Sequence, residues 1–491
     1  MGRKPQAAQD AAERDSSAQR RAGQDSRHAA ETQGRPSLTI GPLLVRTLRH
    51  FYPHFNDWLD QELPDPRDQQ RVVYHKRFLF GCALFLFLCR LGSRRRFDFE
   101  FREVNSAVLG NLNRLFDTRQ ASCPRQQTVD DYLASVGCEA VAAFRRRLLY
   151  QLLRQRTLAS ARLLGKYVVL IDGTGYLIFR RRHCERCLTQ RHGEVTVYMH
   201  QVLEAKLLGP GGMVLSLGSE FIDNRDAAEV PADATAEQRK QDCELKALRR
   251  LVKQMRKDFP QLPICLSGDS LNACGEGFQL AREYRLSFIH VFKEGRMPAL
   301  WRDFQGLLRG CPEQHVEVET PKKVRQVFRW VNEVDYTDSD GREWKLNALL
   351  CSETHANGKE GQWAWLTDLP LRAGNVSEVA SGGGRVRWCI ENQGFNVQKN
   401  SELNLEHAYS EGEHFGVYYL LLQIGHLLAQ LVEKGSLLRQ LAQEQGKRTA
   451  MAFCGGLSYL ARSLLESLKN LRWSAACYRG GERIQIRFDS G

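Results

Sequence analysis

The sequence predicts an α/β protein with an inserted run of strands, preceded by an all-helical region. Three observations carry this. Residues 38–165 show helical spacing of apolar side chains, short apolar strand-like runs then alternate with amphipathic stretches, and a second block of strands falls between 296 and 372. At 491 residues with 42% hydrophobic content, the chain is long enough for two or three domains with substantial cores.

Residues 1–37 are rich in Ala, Gln, Arg, Asp and Ser and carry almost no large apolar groups, so they are expected to form a disordered arm. In the helical region 38–165, Leu44, Leu48 and Phe51 share one helix face, as do Leu148, Leu152 and Leu153. The apolar run Phe78 to Cys89 is its expected core. Cys123 and Pro124 interrupt the pattern, and Thr128 with Asp131 three places on reads as a new N-cap. The first part of the α/β core spans 166–295. Tyr167 to Ile171 is an apolar strand ending at Asp172, with strands expected at 176–179, 195–207 and 213–222, and Gly209 to Gly212 as the turn between the last two. Helices follow at 236–259 and 277–284, with strands at 264–266 and 287–292. The 122 residues separating Asp269 from Glu391 are too many for a loop, and strands at 315–319, 324–336, 344–352 and 362–367 predict an inserted β subdomain over 296–372. Residues 373–435 complete the core, with a helix over 377–399 and an apolar helix over 415–433. That apolar helix is expected to pack on the sheet and to offer a dimerisation face. The C-terminal region 436–491 includes an edge-strand pattern at 483–488.

The balance of 70 Lys+Arg against 57 Asp+Glu gives a net charge of +13, and arginine triplets stand at 94–96, 145–147 and 180–182. A basic surface favours a polyanion, and Arg145, Arg146 and Arg147 are candidates for phosphate contact. The 14 cysteines and the polar N-terminus point to thiols in a reducing compartment, and no run predicts a membrane span. Cys184 and Cys187, with His192 and His200 nearby, have zinc-like spacing. Paired thiols are the alternative, since no second Cys-x-x-Cys follows.

The chemistry concentrates around Arg387 to Asn400. An arginine one helical turn before Glu391 and a lysine, Lys399, two turns after it put a carboxylate between two cations on one stripe. Asp172 and Asp269 each follow an apolar strand-like run. Three carboxylates on neighbouring elements can hold two Mg²⁺ or Mn²⁺ ions for phosphodiester chemistry, with Arg387 and Lys399 holding phosphate. Glu220, Asp223 and Asp226 are competing carboxylates without a comparable cationic neighbourhood.

The run Arg387-Trp388-Cys389-Ile390-Glu391 resembles the Arg-Trp-x-Ile-Glu signature of insertion-sequence DDE transposases. Trp365 to Leu369 is similar to the strand before that signature, and Ile171 to Thr174 and Gly268 to Ser270 look like the two aspartate motifs. The likeness covers about 125–435. It departs at Gly384, where the family has tyrosine, and at Gln398, where its lysine falls, with Lys399 next door.

The resemblance implies a ribonuclease-H-like catalytic domain with a β insertion before Glu391. It also implies cut-and-paste transposition of a bacterial element, acting in the cytoplasm on double-stranded DNA at element ends and target, through a homodimeric synaptic complex. Relatives pass through a DNA hairpin with a base flipped onto an aromatic side chain, for which Trp330, Trp344, Trp363 and Trp365 are candidates. Two alternatives stay open: a transposon-derived DNA-binding protein without turnover, and a nuclease of the same fold that cuts without joining.

Overall fold

The computed structural model describes residues 40–103, 106–184, 186–224, 242–410, 414–454, 457–478 and 485–488. The expected arm at 1–37, Asp226 and the first part of the expected 236–259 helix lie outside them. The protein is mixed α/β. Its helices surround one ten-stranded, mostly antiparallel sheet in the order β2-β3-β1-β5-β6-β10-β9-β8-β7, with β4 also paired to β3. The strands are β1 (Tyr167–Phe179), β2 (Leu188–His192), β3 (Val195–Leu208), β4 (Val214–Ile222), β5 (Ile264–Gly268), β6 (Ser287–Val291), β7 (His315–Glu319), β8 (Arg325–Thr337), β9 (Glu343–Thr354) and β10 (Glu360–Thr367).

The apolar stretch of β1 is buried on both faces because β1 is central, antiparallel to β3 on one side and parallel to β5 on the other. β1 runs past Asp172 to Phe179, so this aspartate sits within a long strand that bulges between Gly175 and Leu177, and does not end a short one. The turn between β3 and β4 falls at 210–212, where Gly211 and Gly212 take φ of 64° and 75°, conformations that glycine adopts without steric penalty.

The strands expected as a separate subdomain instead continue the main sheet. β10 pairs antiparallel with β6 at Thr367↔Ile289, and β9, β8 and β7 follow outward from it. Thr367 Oγ1 donates to the Phe288 carbonyl and Asp368 accepts from the Phe288 amide, which locks the two halves together. A helix at Pro298–Gly310, absent from the sequence expectation, packs on β8.

The N-terminal helices span Ile40–Phe51, Phe55–Glu62, Lys76–Leu88, Arg94–Phe101, Val108–Phe116 and Gln126–Arg154, of which the last is kinked into two at Gly137, where φ is 77°. The last begins two residues before the expected Thr128 cap, because the Asp98 carboxylate accepts from the Gln126 amide at 2.7 Å and caps it from another helix. The Lys76–Leu88 helix is the expected core element, with Phe78 through Leu88 all buried.

Phe415–Lys434 is, among the described residues, the one helix long and apolar enough to cross a membrane; 94% of its most apolar window is buried inside the protein. It packs on Lys76–Leu88, on Gln126–Arg154 and on β4. A helix enclosed in this way has no free apolar face for the dimer contact expected of it. Residues 485–488 form no strand. Ser436 and Arg487 exchange two hydrogen bonds, and Phe488 stacks on Phe51 at 5.7 Å.

Candidate functional site

Register brings the two aspartates together. β1 and β5 are adjacent parallel strands with Leu170 opposite Ser267, so Asp172 and Asp269 each lie two residues beyond the same line. Side chains alternate faces with a period of two. Val168, Leu170 and Asp172 therefore share a face, as do Cys265, Ser267 and Asp269, and the apolar members of both sets belong to one core cluster. Asp269 follows β5 directly and is held by an Asx turn, its Oδ1 accepting from the Leu271 amide (2.9 Å) and from Asn272 Nδ2 (3.0 Å). Gly268 is required there, because a Cβ would stand 2.6 Å from Asn272 Nδ2.

The helical run 376–400 lies across this same face. Val376, Val379, Ala380, Ile390 and Phe395 enter the cluster, and Ser267 Oγ donates to the Gly383 carbonyl at 2.8 Å. The run is not a regular α-helix: it passes through a wide π turn at Ala380–Gly384, a 3₁₀ turn at Arg385–Trp388 and a second π turn at Ile390–Phe395. Arg387 bridges the acids, its Nη2 2.7 Å from Glu391 Oε1 and its Nη1 3.5 Å from Asp172 Oδ2. Asp269, Arg387 and Glu391 line one cleft with Lys293, Trp301, Trp363, Trp365, Arg385 and Trp388.

Burial raises the Asp172 carboxyl to about 7. Arg387 opposes the shift, and the neighbouring charges of Glu391, Glu244 and Asp269 reinforce it. Glu244, at the start of the Glu244–Asp258 helix, is the carboxylate that sequence reasoning missed. Its Oε1 lies 2.3 Å from where a Cβ on Gly173 would be, and burial followed by the Asp269 charge raises its pKa. The signal available in the sequence was an acidic residue opening an amphipathic helix, which alone indicates only a favourable helix dipole.

Other expected residues fall elsewhere. Lys399 does not reach the cleft; it pairs with Glu406 at 2.9 Å. The π turn between Glu391 and Lys399 has more residues per turn, so the eight-residue spacing no longer returns to one face. Gln398 is fully buried and bonds to Gln423 and His426, while Lys206, equally buried, donates to Gln423 at 2.7 Å. Gly384 is tightly enclosed, since a Cβ would stand 2.4 Å from the Trp365 indole and the ring would have to shift.

Arg145 is buried and does not face phosphate. It donates to Ser216 (2.7 Å) and Ser219 (2.5 Å), joining the Gln126–Arg154 helix to β4. Arg146 and Arg147 are tied to Asp258 and Glu62, each at 2.7 Å. Glu220 is paired with Arg250 at 2.7 Å. Of the candidate tryptophans, Trp330, Trp344 and Trp365 are buried, whereas Trp363 lies in the cleft under Arg385, whose guanidinium is 3.7 Å from the ring centroid. Trp388, named in the signature but not among the stacking candidates, is 52% exposed at the cleft.

Cys184, Cys187 and His200 form, among the described residues, the one group of metal-ligating atoms within 4.8 Å of one another; the acids of the cleft are gathered more loosely around Arg387. The His192 side chain lies outside the described residues. No protein-family model and no curated protein matches this chain.

Proposed function

We propose that the chain is a DDE transposase with a ribonuclease-H-like core, a metal-dependent enzyme that cleaves double-stranded DNA at its element's ends and joins the freed 3′-hydroxyl to target DNA. The observation that carries this reading is that Asp172 in β1 and Asp269 directly after the parallel β5 stand two residues beyond the same pairing line, with Arg387 tying Asp172 to Glu391 on the helix that crosses them. The order β4-β3-β1-β5-β6, with the first three antiparallel and β5 and β6 parallel to β1, supports a core of that type.

The donor set suits a hard divalent cation. It is all oxygen, and burial, reinforced by the charges of Glu391, Glu244 and Asp269, makes the Asp172 carboxylate costly to hold without a cation. Asp172, Asp269 and Glu391 would hold two Mg²⁺ or Mn²⁺ ions, which supply an activated oxygen nucleophile and neutralise charge on the phosphate. Arg387, released from the carboxylates, offers a planar fork to phosphate oxygens, and Arg385 and Lys293 extend the cationic wall. Trp388, half exposed in the cleft, offers a ring on which an unstacked base can rest, while Arg385 covers one face of Trp363. The +13 net charge suits a DNA partner, and synapsis of two ends calls for a homodimer acting in the bacterial cytoplasm at the nucleoid.

The test incubates the full chain with duplex DNA from the flanks of its own coding region and Mg²⁺. Nicked and joined products that vanish in Asp172→Asn, Asp269→Asn and Glu391→Gln support the reading. Products that persist in all three variants refute it. Nicks without joining identify a nuclease, and binding without cleavage identifies a DNA-binding protein without turnover. The buried Gln398, at the position of the family's lysine, favours the latter among the alternatives.

A further inference from the structure

We infer that Cys184, Cys187 and His200 form a zinc site that fastens the β1–β2 connection to β3. This site is separate from the carboxylate cleft and independent of the function proposed for it. The three ligand atoms already stand in the arrangement a tetrahedral zinc imposes. With Zn–S of about 2.3 Å and Zn–N of about 2.05 Å at tetrahedral angles, the S···S edge is about 3.8 Å and each S···N edge about 3.6 Å. The observed separations are 3.7 Å between Cys184 Sγ and Cys187 Sγ, and 3.3 and 3.4 Å from those sulfurs to His200 Nε2. A disulfide needs sulfurs about 2.05 Å apart and gives an imidazole no reason to face both of them.

The elements explain the convergence. Cys184 and Cys187 lie on the short connection between β1 and β2, and the turn is closed by a Cys187 amide to Cys184 carbonyl hydrogen bond at 3.4 Å. His200 is on β3 opposite Leu177 of β1, and Leu188, next to Cys187, pairs with Met199, next to His200. Cys187 and His200 are both buried. The surroundings are aromatic: His200 packs near Phe179 and Phe415. The exposed His183 packs on the same two rings, at 4.5 and 5.4 Å, and the charge of Asp223 also acts on His200, so the fourth corner is open to a nearby side chain or to water. Binding Zn²⁺ would displace the two thiol protons to solvent and leave His200 neutral, bound through Nε2. The role is structural: the site lies beyond the β1 bulge from Asp172 and ties the β1–β2 connection to β3 beside the edge strand β2.

The test measures metal in full-length protein kept reduced, loaded with Zn²⁺ alone and desalted. About one zinc per chain is expected, together with the intense thiolate-to-metal absorption of a tetrahedral site when Co²⁺ replaces it. Cys184→Ser, Cys187→Ser and His200→Asn should each weaken zinc binding by ~100-fold or more. Cys184 is only partly buried, so Cys184→Ser should keep its circular dichroism spectrum and separate metal loss from misfolding. A zinc content near zero in the folded wild type overturns the inference, as does full zinc retention in a folded Cys184→Ser/Cys187→Ser double variant. Neither result touches the cleft, whose activity test uses other residues.

Discussion

Asp172→Asn should make the protein more stable at pH 8, although it removes a residue placed at the centre of the site. The folded carboxyl titrates at about 7 against an ordinary 3.8, chiefly because burial disfavours its charged form. A folded pKa raised above the unfolded one means that, between these values, the native state binds more protons than the unfolded state. Stability therefore falls as pH rises through this window, and the penalty is complete above the folded pKa. The difference of about 3 units, at 1.36 kcal/mol each, is roughly 4 kcal/mol at pH 8 and well under 1 kcal/mol at pH 4. Asparagine keeps the side-chain oxygen that accepts from the Gly173 amide and carries no charge, so it escapes the penalty. In a chain of this size the gain is expected to raise the thermal midpoint by roughly 1 °C per kcal/mol, several degrees at pH 8 and almost nothing at pH 4. Mg²⁺ should stabilise the wild type at pH 8 and the variant much less, because the cation favours the charged carboxylate that burial penalises. Differential scanning calorimetry over pH 4–8, with and without Mg²⁺, decides the matter. A variant no more stable than wild type at pH 8, or one equally stabilised at both ends of the range, would refute the electrostatic account of the cleft.

Arg145→Ala should cost about 3–5 kcal/mol by leaving Glu204 buried beside fewer partners, and should leave DNA affinity per folded molecule unchanged; urea titration with filter binding checks both. Gly384→Ala should lose about 1–3 kcal/mol because its Cβ meets the buried Trp365 indole, and Gly384→Tyr should not yield folded protein, as judged by soluble expression and near-UV circular dichroism. Lys399→Ala should leave DNA cleavage within a few-fold of wild type, whereas Arg387→Ala should reduce it by ~100-fold or more; equal effects in a single-turnover assay would contradict the placement of these two cations.

Local period made most of the fold readable. The strand runs from 195 to 367 were expected within a few residues of where they lie, because alternation and turn residues are local signals. The i, i+4 spacing of Arg387 and Glu391 likewise gave a real contact at 2.7 Å. What escaped depended on partners distant in sequence. That β10 would pair with β6, making the expected subdomain part of one sheet, is a choice of edge which no local pattern encodes. The burial of Arg145 could not be read from an arginine triplet, since its serine partners lie more than 70 residues away. Lys399 was misplaced because a 3.6-residue period was carried through a segment whose turns are wider.

The glycine at 384 and the glutamine at 398 are linked by that irregular helix. The π turn at Ala380–Gly384 brings the backbone against Ile289 and Trp365, an approach close enough that a Cβ at 383 or 384 would force a neighbouring side chain to shift. The second π turn then directs position 398 inward, where a lysine would sit beside the buried Lys206 and share its partner Gln423. Two ammonium groups there would be buried, like-charged and short of acceptors, whereas glutamine both donates and accepts in the same space. A helix seated this deeply leaves its outward cations on the intervening 3₁₀ turn, at Arg385 and Arg387. The cationic side of the cleft is therefore set by how tightly the helix packs on the sheet, and placing a tyrosine at 384 or a lysine at 398 would undo that packing.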